Sequence, residues 1–168
     1  MSLSKRPIPS AASFAVVALL MWLPVTGFAA TTTFTDLNPS TRPTARTGPK
    51  LVSDGQASEK LYMFGGNTGA TETWVFGADP AVNQWTQLTP GNTPPKRGWF
   101  GADWDSANAQ MVVFGGLEEA FNQNVLGDMH SYDPVANSWT PISTMLGDVP
   151  PPLWQMVFRY VSHLGRFL

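Results

Sequence analysis

Seven carboxylates, Asp103, Asp105, Glu118, Glu119, Asp128, Asp133 and Asp148, lie between Gly98 and Phe158, a stretch without Lys or Arg. Clustered carboxylates can hold a hard cation, serve as general acid and base, or keep a surface hydrated. The spacing here favours hydration. A calcium loop needs oxygen ligands at regular intervals around a Gly turn, and neither Asp103-Trp104-Asp105 nor Glu118-Glu119 supplies them. His130 and His163 are the only histidines, too few for a His-rich metal site, and cysteine is absent. Ser-His-Asp catalysis has no nucleophile elbow to support it. The residues therefore predict no catalytic group, no metal site and no cofactor.

What remains for a site is polar residues in loops: Asn67, Glu72, Glu118, Glu119, Asn122 and Asn124. They fall in two loops, each following an apolar run that ends in Phe-Gly-Gly. LYMFGG at 61–66 and MVVFGG at 111–116 stand 50 residues apart. Such runs are too short for helices and are bounded by turn formers, so they predict buried strands. A glycine pair then marks where the backbone bends or approaches a neighbour closely. Asp79-Pro-Ala-Val-Asn-Gln-Trp85 matches Asp133-Pro-Val-Ala-Asn-Ser-Trp139, so D-P-x-x-N-x-W occurs twice. The Asp-Pro and Asn punctuate a hairpin, and the Trp that follows is predicted to be core. A partial copy precedes them, where Phe34-Thr-Asp-Leu37 through Arg46 echoes Trp85-Thr-Gln-Leu88 through Arg97 at an offset of 51. Arg46 and Arg97 share a place in the repeat, which predicts a repeated structural role.

A unit of this length points to a propeller blade. It resembles the kelch repeat: an apolar strand ending in Gly-Gly, an aromatic in the next strand, and a Trp about twenty residues after the glycines. Those positions are Gly65, Gly66, Trp74 or Phe76, and Trp85 in one unit, and Gly115, Gly116, Tyr132 and Trp139 in the next. The resemblance covers about Phe34 to Pro152. It implies an all-β fold, a partial kelch-type β-propeller of four-stranded antiparallel blades, like the central domain of secreted galactose-oxidase-like proteins. Blades are expected at about 47–89 and 97–143, with 31–46 as an isolated outer strand and turn. Alternating strands would put the loops after the second and fourth strands on one face, where the six candidates could meet a protein or glycan. Some secreted kelch propellers are enzymes. The copper oxidases among them need a Tyr cross-linked to a Cys, which a chain without cysteine excludes. The expected role is non-catalytic binding. The alternatives are an inactive fragment of a carbohydrate-active propeller of epimerase or lyase type, and a subunit that closes a ring by self-assembly.

The two ends carry other signals. Lys5 and Arg6, the apolar run Phe14–Leu23, and the small residues Gly27 and Ala29 predict a signal peptide over 1–29, hence a secreted or periplasmic protein that meets the membrane only through that segment. Removing Lys5 and Arg6 leaves eight basic residues against twelve acids, which argues against nucleic acid as a partner. At about 50 residues per blade and four or more blades, a closed ring needs about 200 residues, so residues 30–152 are expected to form an incomplete one with open edges prone to self-association. Residues 153–168 have Leu153 where the repeat calls for Arg. Trp154, Val157, Phe158, Val161, Leu164 and Leu168 follow at helical spacing, which predicts a basic amphipathic helix or a departure from the repeat's reading frame.

Overall fold

The short apolar runs become strands, and among the described residues these strands pair antiparallel. β1 (Lys50–Ser53), β2 (Leu61–Phe64), β3 (Thr73–Phe76) and β4 (Trp85–Leu88) form one sheet in sequence order. β5 (Gly101–Asp105), β6 (Gln110–Leu117), β7 (Val125–Asp133) and β8 (Ser138–Pro141) form a second, and β9 (Tyr160–Val161) pairs with β10 (Arg166–Phe167) in a third. The computed structural model describes residues 36–57, 60–67, 71–77, 83–118, 124–143 and 149–168, all within the unit Asp36–Leu168. The predicted signal peptide lies outside the described residues, as do Phe34 and Thr35. The described part of the expected outer strand and turn, residues 36–46, forms no strand. Pro39 and Pro43 cannot donate to a ladder there, and Trp85 N–H donates to the Thr41 carbonyl at 3.3 Å, which ties this segment to β4.

Register makes the two sheets copies of each other. Trp104, Met111, Tyr132 and Trp139 lie side by side across β5–β8, as Ser53, Leu61, Phe76 and Trp85 do across β1–β4. Phe76, not Trp74, is thus the counterpart of Tyr132. The glycine pairs stitch each sheet to the next. Gly66 N–H donates to the Arg97 carbonyl at 3.0 Å, and Gly116 N–H to the Leu153 carbonyl at 2.8 Å. Gly65 and Gly115 sit at φ +70° and +62°, and a Cβ on either would come within 2.6 Å or 2.5 Å of those same carbonyl oxygens. Only glycine fits at either place. In the second sheet the pair does not end the strand: β6 runs on to Leu117 through a register shift between Phe114 and Gly116.

The core lies between the first two sheets. Val52, Tyr62, Phe64 and Val75 from one side meet Phe100, Met111, Val113, Tyr132 and Trp139 from the other. Phe64 packs on Trp139 with ring centroids 4.6 Å apart, Tyr62 stacks on Trp104 at 5.6 Å, and Trp139 Nε1–H donates to Thr73 Oγ1 at 3.2 Å. Burying rings of this size contributes a few kcal/mol each. The first strands β1, β5 and β9 pack near one another, which sets the inner edge of the blades.

The tail is a hairpin, which corrects the helical expectation. Tyr160 pairs with Phe167 and Val161 with Arg166, matching Trp104 with Met111 and Asp105 with Gln110 at a constant offset of 56. Backbone conformation agrees: Gly48, Trp99 and Gln155 take φ of +68°, +53° and +53° at equivalent places, and Ala109 and Gly165 take +54° and +60° in the two hairpin turns. Residues 153–168 therefore continue the repeat. Met156, Phe158 and Tyr160 are half-buried while Gln155, Val157 and Arg159 are exposed, the period of a strand. The second sheet selects this arrangement over a helix. Phe158 lies over Gly101 and stacks on Phe114 at 6.0 Å, and Asp103 accepts from the Tyr160 backbone N–H at 2.7 Å.

Candidate functional site

The most constrained polar group is a buried guanidinium. Arg97, leading into β5, is fully buried. Its Nη1 donates to the Gly115 carbonyl at 3.1 Å and to Asp128 Oδ1 at 2.8 Å, its Nη2 to Asp128 Oδ2 at 2.7 Å, and its Nε to the Pro95 carbonyl at 3.2 Å. A bidentate carboxylate is the partner that a buried guanidinium requires. His130 Nε2, two residues along β7, donates to the same Asp128 at 2.8 Å. Burial works to raise the Asp128 pKa, but the hydrogen bonds from His130 and Arg97 prevail and hold the carboxyl well below its ordinary value. Nδ1 of His130 is buried and has no hydrogen-bond partner among the described residues.

The first sheet builds the same device. Arg46 Nη1 donates to the Gly65 carbonyl at 3.2 Å and its Nη2 to Glu72 Oε2 at 2.6 Å, while Trp74 Nε1–H donates to that carboxylate at 2.8 Å. The hydrogen bond from Arg46, opposed by partial burial, lowers the Glu72 pKa. Arg46, Glu72 and Trp74 thus reproduce Arg97, Asp128 and His130. The indole of Trp74 and the imidazole of His130 each place a ring N–H on the carboxylate that pairs with the arginine. The repeated position of the two arginines signalled this role in the sequence. Asp128 was not among the residues predicted for a site, because Glu72 follows Gly66 by six residues and Asp128 follows Gly116 by twelve. Unequal loops hide the match.

The predicted site residues divide among these supports. Glu72 belongs to the arginine device rather than to an open loop. Asn67 clamps its own sheet: its Oδ1 accepts from the Thr47 N–H at 2.8 Å and its N–H donates to the Thr47 carbonyl at 3.0 Å. Glu118 and Asn124 bridge the mouth of the loop between β6 and β7, through the Glu118 N–H on the Asn124 carbonyl at 3.0 Å and through their side chains. Glu119 and Asn122 lie outside the described residues. Asp105 and Asp133 cap hairpin turns, accepting from the Ala107 and Val135 N–H groups at 2.9 and 2.8 Å. His163 is exposed in the turn between β9 and β10. Among the described residues no three acidic or histidine side chains gather where they could hold a metal ion.

Two four-stranded sheets in register, joined by glycine pairs and followed by a further hairpin, are arranged as blades of a β-propeller. The kelch motif family model matches residues 108–146, the second of the two repeats. Among solved structures 103 chains match; one is the kelch-type propeller YjhT, with a TM-score of 0.55 and 19% identity over 75% of this chain. The chain spans 34% of the length of YjhT, about a third. No curated protein matches it.

Proposed function

We propose that the chain is an exported, non-catalytic binding module whose loops after the second and fourth strands take a protein or glycan partner. The observation that carries this reading is where the polar groups go. Arg46, Glu72, Arg97, Asp128 and His130 are spent on bracing the bases of those loops, which leaves a rigid frame with Asn67, Glu118 and Asn124 at the loop mouths. Loops held by rigid strands are where binding residues concentrate.

Capture of soluble glycans and of exported proteins by the immobilised chain, compared with an Asn124→Ala, Glu118→Gln double variant, tests the assignment. A loss of capture of tenfold or more is expected, and unchanged capture would remove these loops from the site. Turnover of a sugar by the isolated chain would replace the binding role with the enzymatic one. Export is supported by the basic start and apolar run before Pro24, and the mass of the protein recovered outside the cytoplasm checks it. A chain beginning near Ala30 is expected.

A further inference from the structure

Gly48, Trp99 and Gln155 hold equivalent places ahead of β1, β5 and β9, and each takes a left-handed backbone, at φ +68°, +53° and +53°. They form a row: Trp99 N–H donates to the Gly48 carbonyl at 2.9 Å, and Gln155 N–H to the Trp99 carbonyl at 2.8 Å. Glycine suits that conformation, whereas a residue as bulky as Trp is strained in it. Trp99 therefore holds its place at a cost to stability, and backbone strain of this kind collects at ligand-binding positions. Both of its neighbours in the row are described, so its setting does not depend on either end of the chain.

The indole lies flat against the row. A Cβ on Gly48 would come within 2.9 Å of Cδ2 and 3.0 Å of Cε2 of Trp99, the two atoms of the ring-fusion bond. Contact through those atoms is face-on, so one face of the ring covers Gly48 and the other points away from it; the residue is half-buried. Polar loop residues from both sheets converge beside it. Gly98 lies against Asn67 of the first sheet, since a Cβ on it would come within 3.9 Å of the Asn67 nitrogen. Gly98 also pairs with Leu117 of the second through two backbone hydrogen bonds of 2.9 Å, which brings Glu118, and Asn124 bonded to it, to the same place.

We infer that the outward face of Trp99 stacks on a neutral hexose ring of a glycan, with Asn67 and Glu118 bonding its hydroxyls. This rests on the binding role proposed above and commits it to one class of partner. An aromatic face flanked by an amide and a carboxylate matches a sugar ring, whose C–H groups form an apolar face and whose hydroxyls both donate and accept. Charge selects the neutral ring. Glu118 repels an anionic sugar, and Arg46 and Arg97 are already bound to Glu72 and Asp128.

The test measures capture of glucose-, galactose- and mannose-terminated oligosaccharides by the immobilised chain, with a glucuronate-terminated set as the charged control. Trp99→Gly and Trp99→Asn are compared with wild type, because glycine and asparagine accept the left-handed backbone without supplying the ring. Each variant is expected to lose neutral-sugar capture tenfold or more, while its melting temperature stays level or rises as the strain is relieved. Wild type should capture the neutral sets more strongly than the charged one. Unchanged capture in both Trp99 variants would overturn the inference, as would a preference for the charged set. A melting temperature that falls along with capture would also overturn it, by making Trp99 a structural cover for Gly48. Loss of capture in the Asn124→Ala, Glu118→Gln double variant but not in the Trp99 variants would leave the binding role standing and remove the indole from it. A wild type that captures a protein and no sugar would overturn the inference alone, and capture of neither would overturn the binding role with it.

Discussion

Trp85 and Trp139 occupy the same place in their sheets, each cross-strand from an aromatic ring, Phe76 at 5.4 Å and Tyr132 at 5.2 Å. Trp139 is nevertheless fully buried, with Phe64 and Thr73 of the preceding sheet against it, and Trp85 is only half-buried. Local sequence is the same in both, D-P-x-x-N-x-W. The difference shows that a blade of this type does not complete its own core. Its Trp is designed to be covered by the blade before it, so the stabilising unit is the interface between blades rather than the blade.

Truncation measures that difference most directly. Trp139→Ala should destabilise by about 3–5 kcal/mol in a denaturant titration, the range for removing a large buried ring, and Trp85→Ala by about 1–2 kcal/mol, in proportion to its smaller burial. Equal losses would mean that each blade stands alone. Arg97→Ala should cost about 3 kcal/mol by leaving Asp128 without its main partner, and Arg46→Ala a similar amount if the two arginine devices are equivalent. A large loss in the second sheet with none in the first would confine the device to the blade that has neighbours on both faces.

Acid resolves the two carboxylates. Asp128 and Glu72 both have folded pKa values below their ordinary 3.8 and 4.5, so their contributions are complete above those values and are lost as pH falls through the folded ones. Melting temperature should therefore drop below about pH 4.5, and Asp128→Asn should flatten that slope more than Glu72→Gln, because Asp128 is the more strongly depressed. A melting curve for Asp128→Asn that tracks wild type down to the acid end would place the pH dependence elsewhere. The smallest effect belongs to Asn67→Ala, which loses one exposed clamp on Thr47 and should cost about 0.5–1 kcal/mol by the same titration.

The strands of both full blades, their glycine pairs and their Trp positions were legible in the sequence because each depends on a local pattern: an apolar run, a turn former, a residue without a side chain. The tail was not. Its apolar residues satisfy a helical period, while Met156, Phe158 and Tyr160 also satisfy a strand period, and the choice fell to Gly101, Asp103 and Phe114 in another sheet. Of the six predicted site residues, Asn67, Glu72, Glu118 and Asn124 are described and lie outside the strands, but loop position did not reveal that Glu72 neutralises Arg46 or that Asn67 holds Thr47.

The sequence by itself determined a repeat of about fifty residues, a chain without cysteine cross-links, and short strands that cannot be helices, because side-chain periodicity and glycine placement act within a few residues. Tertiary structure alone decided which acid each buried arginine takes, which Trp is fully covered, and that residues 153–168 continue as a hairpin. Those outcomes depend on groups that meet across 19 to 66 residues of chain, as Arg46 meets Gly65 and Trp139 meets Thr73, and only the packing of one sheet on the next brings them together.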